Sequence, residues 1–156
     1  AGEPHRMGDY EIGETIDHVD GVTLAESLHM MATRLWQNTS KVHFDTTVRP
    51  DGRLLIYGGH IISMARALSF NGLANAQMIA GINAGAHATP SFSGTTVRAW
   101  SEVLDKADTP APGVGAIRLR LVAVKAGAEP FKLKGDDGRY LPEVLLDFDY
   151  WALMPL

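Results

Sequence analysis

Segments in which apolar and polar residues alternate dominate the second half of the chain. A period of two is typical of β-strands with one buried face, because successive side chains point to opposite sides. The alternation runs through TTVRAWSEV, AIRLRLVAV and EVLLDFDYWALM, and the small, apolar stretch MIAGINAGAH precedes them. Loops rich in proline and glycine at 109–115 and 127–139 separate the last three strands, as expected for antiparallel connections. With an early strand near 14–20, the chain is expected to form a sheet of about five strands.

The faces of these strands can be assigned from the same pattern. In the last strand Asp147 and Asp149 share one face, and the apolar face is expected to hold Val144, Leu146, Phe148, Tyr150 and Ala152. In the strand of TTVRAWSEV, Trp100 falls on the same face as Arg98 and Glu102. The pattern therefore predicts one buried and one polar face for the sheet.

Two helices are predicted before the long strands. Thr23 and Glu26 have the spacing of a capping box, so the first helix is expected to start there and run to about Trp36. Its apolar stripe consists of Leu24, Leu28, Met31 and Leu35.

The second helix is expected to begin after Gly58-Gly59 and to end at Asn71-Gly72. Its main apolar face consists of Ile61, Met64, Ala65 and Leu68. Ile62 and Phe70 extend the apolar surface further round the helix, which is typical of a buried helix. One buried helix followed by long antiparallel strands predicts an α+β fold in which the sheet wraps round that helix.

Composition limits the functional classes. The chain has 156 residues, 46% of them hydrophobic, which is enough for one globular domain spanning 1–156. The net charge of -4 argues against a nucleic-acid-binding protein, and the absence of cysteine excludes disulfides, a thiolate nucleophile and cysteine-bound zinc. This composition fits a cytoplasmic protein. No segment has 18 uninterrupted apolar residues, and the N-terminus has neither a signal-peptide core nor an initiator methionine, so we expect a processed chain or a piece of a longer one.

The first candidate for chemistry is the stretch WQNTSKVHFD at 36–45. If 42–46 is extended, His43 and Asp45 point to the same side, where the carboxylate could set the tautomer and charge of the imidazole. The alternative is a structural histidine at a strand edge, with Asp45 serving the turn that follows.

The second candidate is Tyr57-Gly58-Gly59-His60. Two glycines before a helix let a ligand approach the backbone closely, and the unpaired N–H groups of the first helical turn can stabilise an oxyanion. The alternative is an ordinary helix entry, and the pattern does not decide whether His60 faces the site or solvent.

The remaining histidines are weaker candidates. His18 lies between acidic residues and is expected in a solvated loop, and His29 is expected to be structural within the first helix. His87 precedes the break at Pro90 and could be aimed toward a cleft, in contact with substrate. No spacing typical of a metal site, a nucleophile elbow or a phosphate loop is present, so neither a metal nor a separate cofactor is expected.

The order of these elements resembles one known family. The runs RLWQNTSKVHFD, IYGGHIISMARALSFNGLANA and PSFSGTTVRAWSEVL are similar to the MaoC-like, (R)-specific enoyl-CoA hydratases, and the resemblance covers nearly the whole chain. Within the family, the chain is most similar to the C-terminal half of members with two repeats that act on a methyl-branched, dicarboxylic acyl group. The resemblance implies a hot-dog fold, an acyl-CoA substrate, and pairing with a second copy or with a second hot-dog domain.

The resemblance also assigns roles. The family motif of aspartate, any residue, asparagine, proline, any residue and histidine aligns its histidine with His43, its aspartate with Asn38 and its asparagine with Ser40. It implies that His43 is the acid and base, and that the N–H of Gly59 binds the thioester oxygen at the start of the helix of His60. Because Asn38 cannot accept a proton at neutral pH, we expect it to orient water or the thioester, and Asp45 to assist His43.

Further residues are implied less directly. Ser40, Tyr57, His87 and Arg98 are candidates for contact with the substrate. A free carboxylate on the acyl group would need a cation, for which Arg34, Arg66, Arg98 and His87 are the candidates. The leading interpretation is a hydro-lyase acting on an enoyl-CoA. The alternatives are a non-catalytic half that supports a partner, because the motif aspartate is absent, and an acyl-CoA thioesterase. The thioesterase is disfavoured because HIISMARALSF has no carboxylate.

Overall fold

A five-stranded antiparallel sheet forms the body of the protein in the computed structural model, which describes residues 4–156. The strands are β1 (Thr15–Thr23), β2 (Met78–His87), β3 (Thr96–Asp108), β4 (Val114–Lys125) and β5 (Val144–Pro155), and their spatial order is β1-β3-β4-β5-β2. The helices are α1 (Glu26–Leu35), α2 (Gly58–Leu68) and the short α3 (Phe70–Leu73). Three 3₁₀ turns occupy Met7–Asp9, Lys41–His43 and Thr46–Val48. The predicted α+β class is confirmed.

The main core lies between α2 and the inner face of the sheet. Ile61 and Ala65 of α2 are buried in the same cluster as Leu119, Leu121 and Tyr150, all of them at most 3% exposed. The alternation in β4 and β5 therefore predicts this face of the sheet correctly. Burying such apolar side chains contributes roughly 1.5–3 kcal/mol each, so this layer holds α2 and the residues at its N-terminus in place.

The outer face of the sheet is less polar than predicted. Trp100, Val122, Val124 and Val144 form a second buried cluster, against which residues of the 126–143 connection pack. Val144 was expected on the inner face with Leu146, but the register of β4 and β5 shifts between Ala123 and Val124. This irregularity sends Val144 outward while Leu145 and Leu146 both join the inner core. A single inserted residue in a strand reverses the facing of all residues beyond it, and the sequence does not show where it lies.

The first helix buries a different face from the one predicted. It begins at Glu26 with Ala25 as N-cap and without a side-chain cap, so the expected capping box is wrong; Thr23 ends β1 and its hydroxyl bonds that of Thr96 at 2.8 Å. The residues of α1 that are buried are His29 and Thr33. The stripe residues Leu28, Met31 and Leu35 are 55%, 60% and 67% exposed, and Leu24 is buried before the helix starts.

The second helix ends earlier than predicted. It stops at Leu68, and the short α3 that follows contains a kink at which Gly72 has φ of 90°, a conformation that favours glycine. Phe70 is 60% exposed, so the apolar surface of this region is only partly covered. In the part of the chain that the structure describes, no helix is both long enough and apolar enough to cross a membrane.

Candidate active site

His43 is held by a backbone carbonyl. It lies at the end of the Lys41–His43 turn, and its Nδ1 is 2.8 Å from the Leu55 carbonyl oxygen. A carbonyl can only accept a hydrogen bond, so Nδ1 carries the proton and Nε2 of the neutral ring is the acceptor. This tautomer leaves a base whose lone pair is directed away from Leu55.

The expected extended segment at 42–46 is wrong, because two 3₁₀ turns form there instead. Asp45 is the N-cap of the second turn, and its carboxylate accepts hydrogen bonds from the Thr47 N–H at 2.9 Å and the Thr47 hydroxyl at 2.6 Å. These hydrogen bonds, that of the hydroxyl first, lower the pKa of the Asp45 carboxyl. The reason for pairing Asp45 with His43, strand alternation, therefore fails, and a role for Asp45 in assisting His43 stays a prediction.

Asn38 and Ser40 shape the loop before His43. The Asn38 side-chain oxygen accepts a hydrogen bond from the Ser40 N–H at 2.8 Å, and the Ser40 carbonyl accepts one from the His43 N–H at 3.1 Å. Asn38 lines a separate surface pocket of about 250 Å³ with Arg34, Gln37, Thr39 and Phe44. At the position of the motif aspartate, Asn38 thus supports the turn that presents His43.

A cavity of about 290 Å³ lies beside His43. Two of its lining residues, His43 and His87, are histidines. The complete lining consists of His43, Leu55, Ile56, Gly58, Ile61, His87, Thr89, Pro90, Ser91 and Leu145. The cavity is therefore mostly apolar, with two imidazoles, Thr89, Ser91 and the start of α2 as its polar features, an arrangement typical of a small-molecule site.

The start of α2 supplies hydrogen-bond donors. Tyr57 is the N-cap, and its carbonyl accepts the N–H groups of His60 and Ile61 at 2.9 and 3.4 Å. Among residues 4–156, the N–H groups of Gly58 and Gly59 have no backbone or side-chain acceptor, as expected for the first turn of a helix. A side chain at 59 would place its Cβ 2.5 Å from the Tyr57 hydroxyl oxygen, so Gly59 leaves no room for one.

His60, at the start of α2, faces away from the cavity of His43. His60 is buried and lines a second pocket, of about 260 Å³, with the exposed apolar residues of α1. It does not line the cavity of His43, and burial lowers the pKa of its imidazole. His60 thus marks the helix start without facing the cavity.

His29 is structural, as expected, but the sequence did not reveal the contact it makes. It is fully buried, and its Nε2 accepts a hydrogen bond from the Tyr57 N–H at 2.8 Å. Its ring lies 6.2 Å from that of His43 and 5.9 Å from that of His60. Burial, followed by the charges of His60 and His43, lowers the pKa of His29 to about 4. His29 thus ties α1 to the N-cap of α2, and no local pattern could have indicated a contact 28 residues away.

The arginines proposed as carboxylate ligands lie elsewhere. Arg66 donates hydrogen bonds to the Tyr150 hydroxyl at 2.9 Å and to the Ala76 carbonyl at 2.9 Å. It therefore stabilises the C-terminal end of α2. Arg98 donates to the Val19 carbonyl, and the guanidinium of Arg34 lies 5.2 Å from the centre of the Phe44 ring. None of the three lines the cavity of His43.

His18 is not in a solvated loop, as was expected. It is fully buried in β1, donates from Nδ1 to the Asn71 carbonyl at 2.7 Å, and accepts at Nε2 from the Ser101 hydroxyl at 2.8 Å. Burial lowers the pKa of its imidazole. Within residues 4–156, no group of three or more histidine, aspartate or glutamate side chains is placed to hold a metal.

Comparison with known proteins identifies close relatives. The chain is 76% identical over 155 residues to mesaconyl-CoA hydratase from Cereibacter sphaeroides, covering 99% of the chain and 45% of that protein. It is 54% identical over 160 residues to beta-methylmalyl-CoA dehydratase from Chloroflexus aurantiacus, covering 99% of the chain and 46% of that protein. The chain therefore spans about half the length of the curated relatives it matches. No protein-family model matches the sequence.

Two solved structures are similar to this chain. A MaoC domain protein dehydratase from Chloroflexus aurantiacus superposes with a TM-score of 0.94 at 54% identity, over 99% of this chain and 45% of that one. A Mycobacterium tuberculosis protein with a double hotdog fold superposes with a TM-score of 0.71 at 20% identity, over 97% of this chain and 44% of that one. At that identity the second likeness concerns the fold alone, and it confirms the predicted hot-dog architecture.

Proposed function

The chain is homologous to one half of the MaoC-like hot-dog dehydratases, and we propose that its cavity adds water to, and removes it from, an acyl-CoA thioester. The substrate pair we propose is mesaconyl-CoA and β-methylmalyl-CoA, after the names of the two relatives. The observation that carries the proposal is His43, whose Nδ1–H is bonded to the Leu55 carbonyl while its ring lines a cavity at the N-terminus of α2. A base and oxyanion donors at one cavity are what hydration of an enoyl thioester requires.

The geometry supports a simple sequence of steps. His43 Nε2 takes a proton from water, and the water oxygen forms a bond to Cβ of the enoyl group. The electrons of the double bond move toward the carbonyl, where the negative charge on the thioester oxygen is stabilised by the unpaired N–H groups at Gly58 and Gly59. The protonated His43 then returns its proton to Cα, which restores the thioester and the neutral ring.

No cofactor is needed for these steps beyond the coenzyme A of the substrate, and we propose none. Tyr57, whose ring lies 5.8 Å from that of His43, remains a candidate for substrate contact. Roles for Ser40 and Arg98 at the substrate, and for Asn38 in orienting water, also stay predictions. A cytoplasmic location is likewise a prediction from the absence of cysteine.

We further propose that this domain pairs with a second hot-dog domain through the edge of its sheet. Among the strands of residues 4–156, β2 is the last in the sheet order and pairs only with β5, and it exposes Met78, Ile79 and Ile82 at 64%, 39% and 63%. A long edge strand with exposed apolar residues favours pairing with another chain or domain. The partner is the other half present in the relatives or a second copy of this chain.

The reaction can be tested by incubating the protein with mesaconyl-CoA and crotonyl-CoA while following double-bond absorbance and free thiol. Loss of the double bond without thiol is the expected result. Release of thiol would identify a thioesterase instead.

One observation favours a second candidate, a half that supports its partner without catalysing the reaction. Asn38 stands at the position of the motif aspartate and lies in a pocket separate from that of His43. If neither double-bond loss nor thiol appears with either substrate, this supporting role replaces the hydratase.

A further inference from the structure

We propose that His87 is a second catalytic residue of this cavity, whose neutral imidazole donates a hydrogen bond to the thioester oxygen beside the first turn of α2. The inference rests on the proposed hydratase function and extends it. It gives the cavity a polarising group for the carbonyl, in addition to the base His43.

The position of His87 follows from the packing of two elements. His87 is the last residue of β2, the edge strand, and its ring lies directly over Gly58, the first residue of α2. A Cβ at position 58 would overlap the His87 ring at Nε2, Cε1 and Cδ2. The glycine therefore provides the space in which this ring stands, so the histidine and the oxyanion donors of α2 occupy one corner of the cavity.

The surroundings favour the neutral ring. Of the residues that line the cavity, none is an aspartate, glutamate, lysine or arginine, and His43 is the one other titratable group. The residues opposite His87 and Ala86 on β5 are Leu146 and Asp147, and Asp147 is bonded to the Tyr140 hydroxyl and paired with Arg120. Partial burial lowers the pKa of His87, although one side of the residue is open to solvent at the sheet edge. A neutral imidazole beside a helix N-terminus polarises a carbonyl without carrying a proton to it.

The ring is also available for a ligand. Among residues 4–156, no hydrogen bond is found for the His87 side chain. A neutral imidazole always carries one N–H, so the His87 ring, whose Nε2 lies against Gly58, has a donor without a protein acceptor. The negative charge that develops on the thioester oxygen during attack on Cβ would supply that acceptor. His87 keeps its proton throughout, so the proton balance of the reaction involves water, His43 and Cα alone.

Two substitutions test whether His87 acts as a hydrogen-bond donor or only packs against its neighbours. In His87→Leu the donor is lost, and we expect kcat to fall about 100-fold with a smaller change in KM, as when one oxyanion donor is removed. In His87→Gln an N–H donor is kept, and we expect most of kcat to return. His5→Gln, at a histidine outside the cavity, is the matched control and should keep the wild-type rate. Equal rates for wild type and His87→Leu would overturn the inference.

A spectroscopic measurement tests the contact without turnover. A saturated acyl-CoA labelled with ¹³C at the thioester carbonyl is bound to the protein, and the carbonyl stretch is recorded by infrared difference spectroscopy. We expect a shift to lower wavenumber in wild type and in His87→Gln, and loss of most of this shift in His87→Leu. The same shift in all three proteins would show that His87 does not touch the oxygen.

The failure of this inference can be told from failure of the proposed function. If wild type hydrates mesaconyl-CoA and His43→Ala does not, the hydratase stands whatever His87 does. If His87→Leu raises KM for mesaconyl-CoA and leaves kcat and KM for crotonyl-CoA unchanged, His87 binds the acyl carboxylate, and the inference is wrong. A wild-type protein without hydration or carbonyl shift would overturn both.

Discussion

His43 shows how a residue's chemistry depends on a contact outside its own motif. The bond from Nδ1 to the Leu55 carbonyl is what makes Nε2 the base, and Leu55 is 12 residues further along the chain. Within the motif stretch, Asp45 and Asn38 have local hydrogen bonds that hold the turns. Of these three residues, His43 lines the cavity, whereas Asp45 and Asn38 accept hydrogen bonds from the local backbone.

The first prediction compares His43, which lines the cavity, with Asp45, which hydrogen-bonds a local turn. His43→Ala should abolish hydration of mesaconyl-CoA, because no other group takes the proton from water, and general bases contribute about 10²–10⁴-fold or more to rate. Asp45→Asn should only weaken it, because an amide oxygen can still accept from Thr47. Initial rates at pH 7 measure both. Full activity in His43→Ala would end the proposed mechanism.

At the scale of the element, α1 buries polar residues and exposes apolar ones. His29 and Thr33 face the protein, while Leu28, Met31 and Leu35 face outward next to a pocket formed with α2. His29 has a specific task, since its Nε2 is the acceptor for the Tyr57 N–H at the N-cap of α2. The buried face of α1 therefore provides the acceptor for a hydrogen bond from the N-cap of α2.

The second prediction tests which face of α1 is stabilising. His29→Leu leaves the partly buried Tyr57 N–H without its acceptor and should lower the free energy of unfolding by about 1–3 kcal/mol. Leu28→Ser, one residue away on the exposed face, should change it by less than about 0.5 kcal/mol. Urea titrations at pH 7 give both values. A larger loss for Leu28→Ser than for His29→Leu would contradict the assigned face.

The third prediction concerns α2 and its fit against the sheet. Ile61→Ala removes a side chain that is 3% exposed in the main core, so it should cost about 2–5 kcal/mol. Ile62→Ala, at the neighbouring, half-exposed position, is the control and should cost clearly less. Thermal unfolding of the two variants beside wild type measures the difference. Similar losses would mean that α2 packs with another face inward.

At the scale of the whole molecule, burial disfavours protonation of four of the six histidines. The pKa of the imidazole is lowered by burial at His18, His29, His60 and His87, and at His29 it is about 4. The pKa of the unfolded residue is about 6.5. The unfolded chain therefore binds more protons than the folded one between these values.

The fourth prediction is the resulting pH dependence. The free energy of unfolding should be constant above pH 6.5 and fall as the pH drops toward 4, because acid favours the state that takes up protons. His29 contributes up to about 1.4 kcal/mol per pH unit in this window. Urea titrations from pH 7.5 to 4.5 measure the slope, and His29→Leu should show a shallower one. The carboxyl groups with lowered pKa, Asp45, Asp51 and Asp149, act at lower pH and do not produce this slope.

The fifth prediction concerns pairing through β2. Ile82→Lys places a charge on the exposed edge strand and should shift the protein toward a monomer in gel filtration with light scattering. Ile12→Lys, at a residue 59% exposed near the opposite side of the sheet, should leave the assembly unchanged. If both variants elute as wild type does, the edge of β2 is not the interface.

The sequence alone specifies the set of strands, most of the buried face of the sheet, a helix at the Gly58-Gly59 pair and, through the family motif, the candidate base His43. These features are local, because side-chain periodicity and glycine placement express themselves within a few residues. The tertiary structure alone decided which face of α1 is buried, where β5 changes register, and which histidines share a cavity. The three histidines lie in different elements: His29 in α1, His43 in a turn and His87 at the end of the edge strand β2. Only the packing of α2 against the sheet brings His43 and His87 together at the N-terminus of α2. In the same packing, His29 holds the N–H of Tyr57. Such contacts join residues at least 12 positions apart, a distance over which no local pattern carries information.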